Sequence, residues 1–509
     1  MPDTKITQLR SPQLQHQILL SRYLRGQQQE REPLPTDRSR KPYTEGIYRL
    51  FHTPVPLQLS QRLRPPLMLS THIRSMASAA SSFKYIIVGA GNAAGYAARQ
   101  FVHHGVKPGE LCLIGSEPYF PYERPALSKG VLMNPKARLP GFHTCVGSGG
   151  DRQSPEWYTE HGIIAKLGKP VTSVDATAKS VVIDGGETVT ATEAVILATG
   201  AEPIRLSKTP GHDLKGIHYL RENDDGVALA DALQANKDKW VMVVGGGYIG
   251  MEVAAAALTV GCKVKLVFPE NHLMPRLFTP DIAKHYEKVF KDKGAVFFNN
   301  GRLCKAFLGD DQAYVRGAKI CQNGQGDIEE DASLIVVGVG ARATTALFKG
   351  QVDMDQRGGV VTDATLATSV TGVYAIGDIA TYPLKMYNNR PERTEHVQNA
   401  RETAAHAVDA IMTGSNEPYD YLPYFYSRIF NLSWQFFGEN VGDNTVIGDF
   451  DPKLLSVWVK DGKVHGIFME GPSADDTANM KNVARDQPAL DLEAFRQCKT
   501  VEEGWKLLL

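Results

Sequence analysis

Two glycine clusters in this chain have the spacing that phosphate binding asks for. In Lys84-Tyr-Ile-Ile-Val-Gly-Ala-Gly-Asn-Ala-Ala-Gly95 an apolar run breaks into Gly89-Ala90-Gly91 and resumes as an alanine-rich segment. That order predicts a strand, a tight turn and a helix. Gly89 permits the turn, Gly91 lets backbone approach a pyrophosphate, and Ala94, in the third glycine's place, lets helix and strand pack closely. Val241-Met-Val-Val-Gly-Gly-Gly-Tyr-Ile-Gly250 repeats the pattern with Gly245, Gly247 and Gly250 at the ideal spacing. In both, free amide N–H groups and the positive end of a helix dipole face the phosphates. Two such loops predict two dinucleotides, most economically one flavin and one nicotinamide.

Acidic residues fall where sugars would lie. Glu117 follows the apolar strand read at 109–115, and Glu270 ends the strand read at 263–268. A carboxylate at that place accepts from a ribose diol; for Glu117 the ordinary alternative is a solvated loop glutamate. Glu270 would repel the 2′-phosphate of NADPH, and a like-charge contact costs several kcal/mol, so NADH is expected, with NADPH the alternative because Arg276 lies six residues on. Asp378 closes the short apolar strand read at 372–378. It is either an acid for the ribityl or phosphate region of a flavin or a plain turn aspartate.

The elements that must hold these residues can be read along the chain. From Phe83 the pattern alternates βα, then passes through an irregular stretch, Pro121–Lys129, and a βββ-like region ending in Ala194-Val-Ile-Leu-Ala-Thr-Gly200. A second βα unit starts near Trp240, and Ala332–Gly340 is read as its closing buried strand. A helix is expected over roughly 397–412, and Asp461-Gly462 between two alternating runs signals a hairpin.

Composition limits the function classes. The 509 residues carry 56 basic and 56 acidic side chains, a net charge of +0, which gives no footprint for nucleic acid. The six cysteines, Cys112, Cys145, Cys262, Cys304, Cys321 and Cys498, form no close pair. A redox dithiol and a metal site are therefore not expected, and reduced intracellular thiols are. No apolar run is long enough for a membrane span. Residues 1–80 hold 12 Lys/Arg against 5 Asp/Glu, with no sustained periodicity. They read as an unfolded transit peptide for chloroplast stroma or mitochondrial matrix. The alternative is an upstream stretch before a start at Met68 or Met76, which would leave the protein in the cytosol.

Several stretches together resemble the pyridine-nucleotide flavoprotein reductases: both glycine loops, Tyr122-Glu-Arg-Pro-Ala-Leu-Ser-Lys129, Ala198-Thr-Gly200 and Gly377-Asp378. Four more are similar to the monodehydroascorbate reductases: the stretch 138–150, Met274-Pro-Arg-Leu-Phe-Thr279, Glu395-His-Val397 and Tyr419-Asp-Tyr-Leu-Pro-Tyr-Phe-Tyr-Ser-Arg428. The likeness runs from about residue 83 to the C-terminus. It implies an α/β fold with two Rossmann-like dinucleotide-binding domains, the NAD domain (206–338) inserted in the FAD domain (83–205 and 339–414), plus a C-terminal α+β interface domain (415–509).

Carried over by position, the resemblance implies FAD contacts at Gly89, Gly91, Asn92, Ala93, Ala94, Glu117, Arg124, Lys129, Val171, Arg221, Glu222, Asp378, Val397 and Tyr426. It implies NADH contacts at Gly245, Gly246, Gly247, Tyr248, Ile249, Gly250, Met251, Glu252, Glu270, Arg276, Gly340, Glu395 and His396. Arg401 and Tyr426 are implied to meet the monodehydroascorbate radical, a small anion, and Lys129 to stabilise negative charge on a reduced flavin. Arginine keeps its charge at any working pH, and Tyr426 offers a donor and an aromatic face. Without the resemblance, Arg401 is an ordinary helix arginine and Tyr426 one aromatic among several. The motif around Cys145 implies that this residue lines the active site, although the chemistry needs no thiol. The implied reaction takes a hydride from NADH and passes the electrons singly to two radicals, giving two ascorbates.

The competing readings are a flavoprotein reductase of an iron–sulfur protein and a non-enzymatic redox-sensing flavoprotein. One departure from the family pattern stands out: Gln398-Asn399 precede Ala400-Arg401 where Asp-His is typical. The oligomeric state is open, and a monomer would suffice.

Overall fold

The computed structural model describes residues 81–134, 136–144, 152–322, 326–450 and 453–509. The expected transit segment and Cys145 lie outside the described residues.

The first sheet is built on the run Ser81–Val88, whose last three residues are at most 1% exposed. A strand buried on both faces reads as continuous apolar residues rather than an alternation. It pairs in parallel with Leu111–Ile114 on one side and Thr188–Leu197 on the other, Tyr85 lying opposite both Leu111 and Ala194. Ile164–Lys166 extends the sheet beyond Leu111–Ile114. The long strand Thr188–Leu197 has two partners on its far side. Its first residues continue an antiparallel meander with Val171–Asp175 and Ser180–Ile183, while Val195–Leu197 pair in parallel with Val373–Ala375. The chain therefore leaves this sheet after Leu197 and returns to it only at Val373.

Between departure and return lies a second construction on the same plan. Ile217–His218, Trp240–Val244, Lys263–Val267, Val296–Phe298 and Leu334–Val337 form a five-stranded parallel sheet. A three-stranded antiparallel meander, Cys304–Gly309, Val315–Gln322 and Gly326–Asp331, accompanies it. The two short strands Ala201–Pro203 and Ala341–Ala343 pair antiparallel where the chain passes out and back.

The third layer is an antiparallel sheet ordered Tyr424–Ile429, Leu432–Gly438, Lys463–Glu470, Leu455–Lys460, Asp443–Ile447, with helices Ala474–Asp486, Leu492–Gln497 and Val501–Leu508. Its hairpin turns at Asp461 (φ 52°) and Gly462 (φ 73°), two left-handed residues in succession. That is the two-residue turn whose twist matches the flanking strands. Tyr419 and Tyr421, read from sequence as part of the C-terminal domain, instead pack in the hydrophobic core of the first sheet.

The predicted elements thus form, with adjusted ends. The closing strand of the second unit contracts to Leu334–Val337, and the helix expected from 397 runs Val397–Thr413. Among the described residues no helix is long and apolar enough to cross a membrane, and no cluster of side chains suits a metal ion.

Candidate functional site

Both glycine loops are built alike. Gly89 has φ +122° and Gly245 φ +127°, and a Cβ on either would sit 2.2 Å from a carbonyl oxygen, Ala198 O in the first case and Gly338 O in the second. Each turn is therefore closed against the end of a neighbouring strand, where only glycine fits. Gly91 and Gly247 cap the helices Asn92–His103 and Tyr248–Val260 without a side chain of their own. Neither helix start is covered by a side-chain cap, which leaves its first amides for a phosphate.

A cavity of about 570 Å³ opens between these helix starts, within the size range of ligand pockets. From the first loop Gly89, Gly91, Asn92 and Ala93 line it, joined by Glu117, Arg124, Lys129, Val171, Arg221, Glu222, Asp378, Val397 and Tyr426. From the second side come Tyr248, Ile249, Glu252, Glu395 and His396. The cavity thus gathers residues expected of both nucleotide sites.

Other expected residues do not border it. Ala94 and Met251 are fully buried beneath their loops, so neither side chain can be a contact. Gly245, Gly246, Gly247, Gly250, Glu270, Arg276 and Gly340 belong to the second unit outside this cavity, with Gly247, Glu270, Arg276 and Gly340 exposed. Arg401 is not among the lining residues, although Val397 and Ala400 on the same helix are.

Glu117 is one member of a network at the cavity wall. It ion-pairs with Arg124, accepts from the Tyr122 hydroxyl at 2.6 Å, and accepts from the Asn223 amide at 3.3 Å. Arg124 also donates to the Arg221 carbonyl at 2.7 Å. Arg221 in turn reaches Asp378 Oδ2 at 3.3 Å, and Arg393 donates to the Asp378 carbonyl at 2.9 Å. These contacts hold acid and base side chains from four chain segments around one wall. Glu222 caps the helix Asn223–Ala235, and burial, then Glu117, raise its pKa.

Lys129, His396 and Tyr426 form another part of the cavity lining. Lys129 Nζ lies 5.9 Å from the Tyr426 ring centroid, and the His396 ring meets that ring edge-on at 5.5 Å. Burial raises the Tyr426 pKa; Arg401 opposes this, and Glu123 and Glu252 add to it. The phenol is therefore a proton-bearing donor at neutral pH. His396 caps the helix Val397–Thr413, its Nδ1 accepting from the Gln398 amide at 3.2 Å, which assigns the ring proton to Nε2. Burial, with Arg401 and Lys129 nearby, pushes its pKa down to about 3. The ring is neutral at working pH, and the positive end of a 17-residue helix adjoins it.

Glu252 lines the cavity and is held there by protein donors. Its Oε2 accepts from Lys129 at 2.8 Å and from Ser128, and its Oε1 accepts from Ser427 at 2.6 Å. Both oxygens are engaged by protein donors, so the carboxylate supports Lys129 at the cavity wall. Glu395 likewise pairs with Arg393 at 2.6 Å. Sequence reasoning passed over Glu123, which accepts from Asn92, Tyr96 and Arg401. Its one signal was its place inside the Tyr122–Lys129 motif.

Residues 83–404 match the family described as pyridine nucleotide-disulphide oxidoreductase, and residues 422–500 match a monodehydroascorbate reductase 3-like C-terminal domain. A monodehydroascorbate reductase of Solanum lycopersicum is 47% identical, covering 82% of this chain and 98% of that one. A chloroplastic/mitochondrial monodehydroascorbate reductase of Arabidopsis thaliana is 41% identical over 83% and 86%. Relatives at similar identity carry cytosolic and peroxisomal names. Among solved structures, a ferredoxin reductase from Rhodopseudomonas palustris superposes with a TM-score of 0.72, at 24% identity over 84% of this chain and 99% of that one. That likeness speaks to fold alone.

Proposed function

Because the chain belongs to the monodehydroascorbate reductases, within the pyridine nucleotide-disulphide oxidoreductase family, we propose that it oxidises NADH and reduces two monodehydroascorbate radicals to ascorbate. The observation that carries this reading is the cavity itself. It reaches from the first glycine loop, past Asp378, to Lys129, His396 and Tyr426, and it takes Tyr248 and Ile249 from the second loop's helix.

The residues present suit a flavin dinucleotide. Backbone at Gly91 is open to a pyrophosphate, the nearest atoms to a Cβ there being the Arg124 side chain at 3.5 Å. Glu117, Arg124 and Asp378 are the polar groups that would hold its sugar and phosphate parts. FAD held there would supply the chemistry that takes two electrons as one hydride and gives them up one at a time. Lys129 supplies a fixed positive charge, Tyr426 a proton-bearing hydroxyl, and neutral His396 a ring N–H that does not titrate near neutrality. Arg401 attracts and orients the anionic radical. At the second loop, Gly247 and the start of the helix Tyr248–Val260 receive the nicotinamide dinucleotide's phosphates, and exposed Glu270 selects NADH over NADPH. The domain division of 83–205 and 339–414 around 206–338, followed by 415–509, belongs to the same proposal. The return of Val373–Ala375 to the first sheet supports it. Import into chloroplast or mitochondrion is part of the same proposal, and the basic bias of residues 1–80 speaks for it.

Purified protein is expected to be yellow and to oxidise NADH only while ascorbate oxidase and ascorbate are generating radical. Colourless protein that cannot be reconstituted with flavin, or NADH oxidation with a ferredoxin but not with the radical, would overturn the reading.

A further inference from the structure

Arg401 does not stand alone. Its Nη2 donates to Glu123 Oε2 at 2.9 Å, and its guanidinium carbon lies 5.1 Å from the Tyr96 ring centroid. Glu123 is 7% exposed and holds more than this arginine. Its Oε2 also accepts from Asn92 Nδ2 at 2.8 Å, and its Oε1 accepts from the Tyr96 hydroxyl at 2.8 Å. Asn92 and Tyr96 are both on the helix Asn92–His103 that starts at the first glycine loop. Asn92 is locked in turn, its Oδ1 accepting from the Arg124 amide at 3.2 Å. One buried carboxylate therefore ties the helix bearing Arg401 to the helix that begins at the first loop.

An unheld arginine has wide rotamer freedom, which is lost when an anion is gripped. Arg401 has already lost most of that freedom, one corner being fixed by Glu123 and one face by Tyr96. We propose that Glu123 is the positioning residue for the substrate arginine, presenting the Arg401 guanidinium in one place to the anionic radical. The inference rests on the reading that Arg401 meets that radical. Burial alone would depress the Arg401 pKa, and Glu123 followed by Tyr96 outweigh it, so the charge persists despite the partly buried setting.

The test uses flavin-loaded enzyme with Glu123→Ala, Glu123→Gln, Arg401→Ala and the double variant Glu123→Ala/Arg401→Ala. Radical-dependent turnover gives KM and kcat, and rapid mixing with NADH gives the rate of flavin reduction. Glu123→Ala is expected to raise the KM for the radical about tenfold, with flavin reduction by NADH within about twofold of wild type. Glu123→Gln keeps an oxygen for Asn92 and Arg401 and is expected to recover most of the loss. In the Arg401→Ala background, removing Glu123 should add nothing further. Additive losses in the double variant, an unchanged radical KM in Glu123→Ala, or equal slowing of flavin reduction would each overturn the proposal while leaving the functional reading intact. A wild-type enzyme whose flavin is reduced by NADH but which never consumes the radical overturns both.

Discussion

Lys129 Nζ lies 2.8 Å from Glu252 Oε2, joining the segment after the first glycine loop to the helix that starts at the second. Glu252 has only 2% of its side chain exposed and Lys129 19%, so this is a largely desolvated pair. Removing one member of such a pair leaves the other charge uncompensated, a loss of about 3–5 kcal/mol in buried cases. Because Lys129 also borders the cavity beside Tyr426, the loss should be felt in chemistry as well as stability. Glu252→Ala is expected to lower the thermal midpoint and to slow flavin reduction by NADH at least tenfold. Glu252→Gln should keep its oxygen as acceptor toward Ser128 and Lys129, donate its amide N–H to the Ser427 hydroxyl instead of accepting from it, and lose mainly the charge effect. Rapid-mixing absorbance at the flavin band measures it, and an unchanged rate in Glu252→Ala would refute the coupling.

The second loop offers a cleaner separation of fold from binding. A Cβ on Gly247 would meet no protein atom within 4 Å, whereas one on Gly250 would lie 2.2 Å from Gly245 O. Gly250→Ala is therefore an overpacking change and should destabilise by about 1–3 kcal/mol. Gly247→Ala, which replaces an N-cap glycine without a clash, should cost no more than about 1 kcal/mol, the scale of a helix-cap change. Any large effect of Gly247→Ala must then come from a molecule approaching the backbone there. The expectation is a raised KM for NADH with a near-normal melting temperature. A normal KM would place the phosphates elsewhere.

The parts of this molecule that were legible are those fixed by local physics. Glycine spacing after an apolar run specified both loops because a carbonyl at 2.2 Å leaves no room for any other residue. Asp461-Gly462 gave the hairpin because two left-handed residues in a row are tolerated by few sequences. The divided strand Thr188–Leu197 was not legible, since an antiparallel partner at one end and a parallel one at the other are both set by distant residues. Nor was the fate of the carboxylates at 123 and 252, whose donors lie up to 278 positions away. The departure at 398–399 now has a local account. Asn399 is fully buried, accepts from the Tyr382 and Tyr419 hydroxyls at 2.8 and 3.2 Å, and donates to the Thr394 carbonyl at 2.9 Å. Gln398 pairs with Glu402 at 2.7 Å. Both amides are thus hydrogen-bonded, and neither side chain itself titrates.

Glu270 is the residue proposed to choose between the two nicotinamide cofactors. Its backbone carbonyl accepts the Asn300 amide at 3.1 Å, which fixes the main chain at the end of the strand Lys263–Val267. Its side chain is exposed and makes no hydrogen bond or ion pair among the described residues, so it is free to accept from a ribose diol. Glu270→Ala is expected to raise the KM for NADH and lower that for NADPH, moving their ratio by about tenfold or more. Arg276, exposed on the following segment, should then gain weight, and Glu270→Ala/Arg276→Ala should give back part of the NADPH gain. An unchanged ratio in Glu270→Ala would remove Glu270 from cofactor selection.

Acid stability should be governed in part by Asp476 in the C-terminal layer. This residue ion-pairs with Lys453 at 2.8 Å, closes a capping box with Ser473, and accepts from Trp505 Nε1 at 3.1 Å. Burial works to raise its pKa, but the bonds from Lys453 and Ser473 win and pull it down to about 2. Between that value and the unfolded value of about 3.9, the unfolded chain binds more protons than the folded one, so stability rises with pH across that window. The contribution is therefore complete above the unfolded pKa and is lost as pH falls toward the folded one. At about 1.4 kcal/mol per unit the window is worth about 2–3 kcal/mol. Asp476→Asn should unfold at lower urea than wild type at pH 7, and the gap between them should close as the pH is taken from 5 toward 2. The indole of Trp505 sits on this carboxylate and gives the fluorescence signal. A gap that stays constant over that range would mean that the helix cap, not the charge, is what Asp476 supplies.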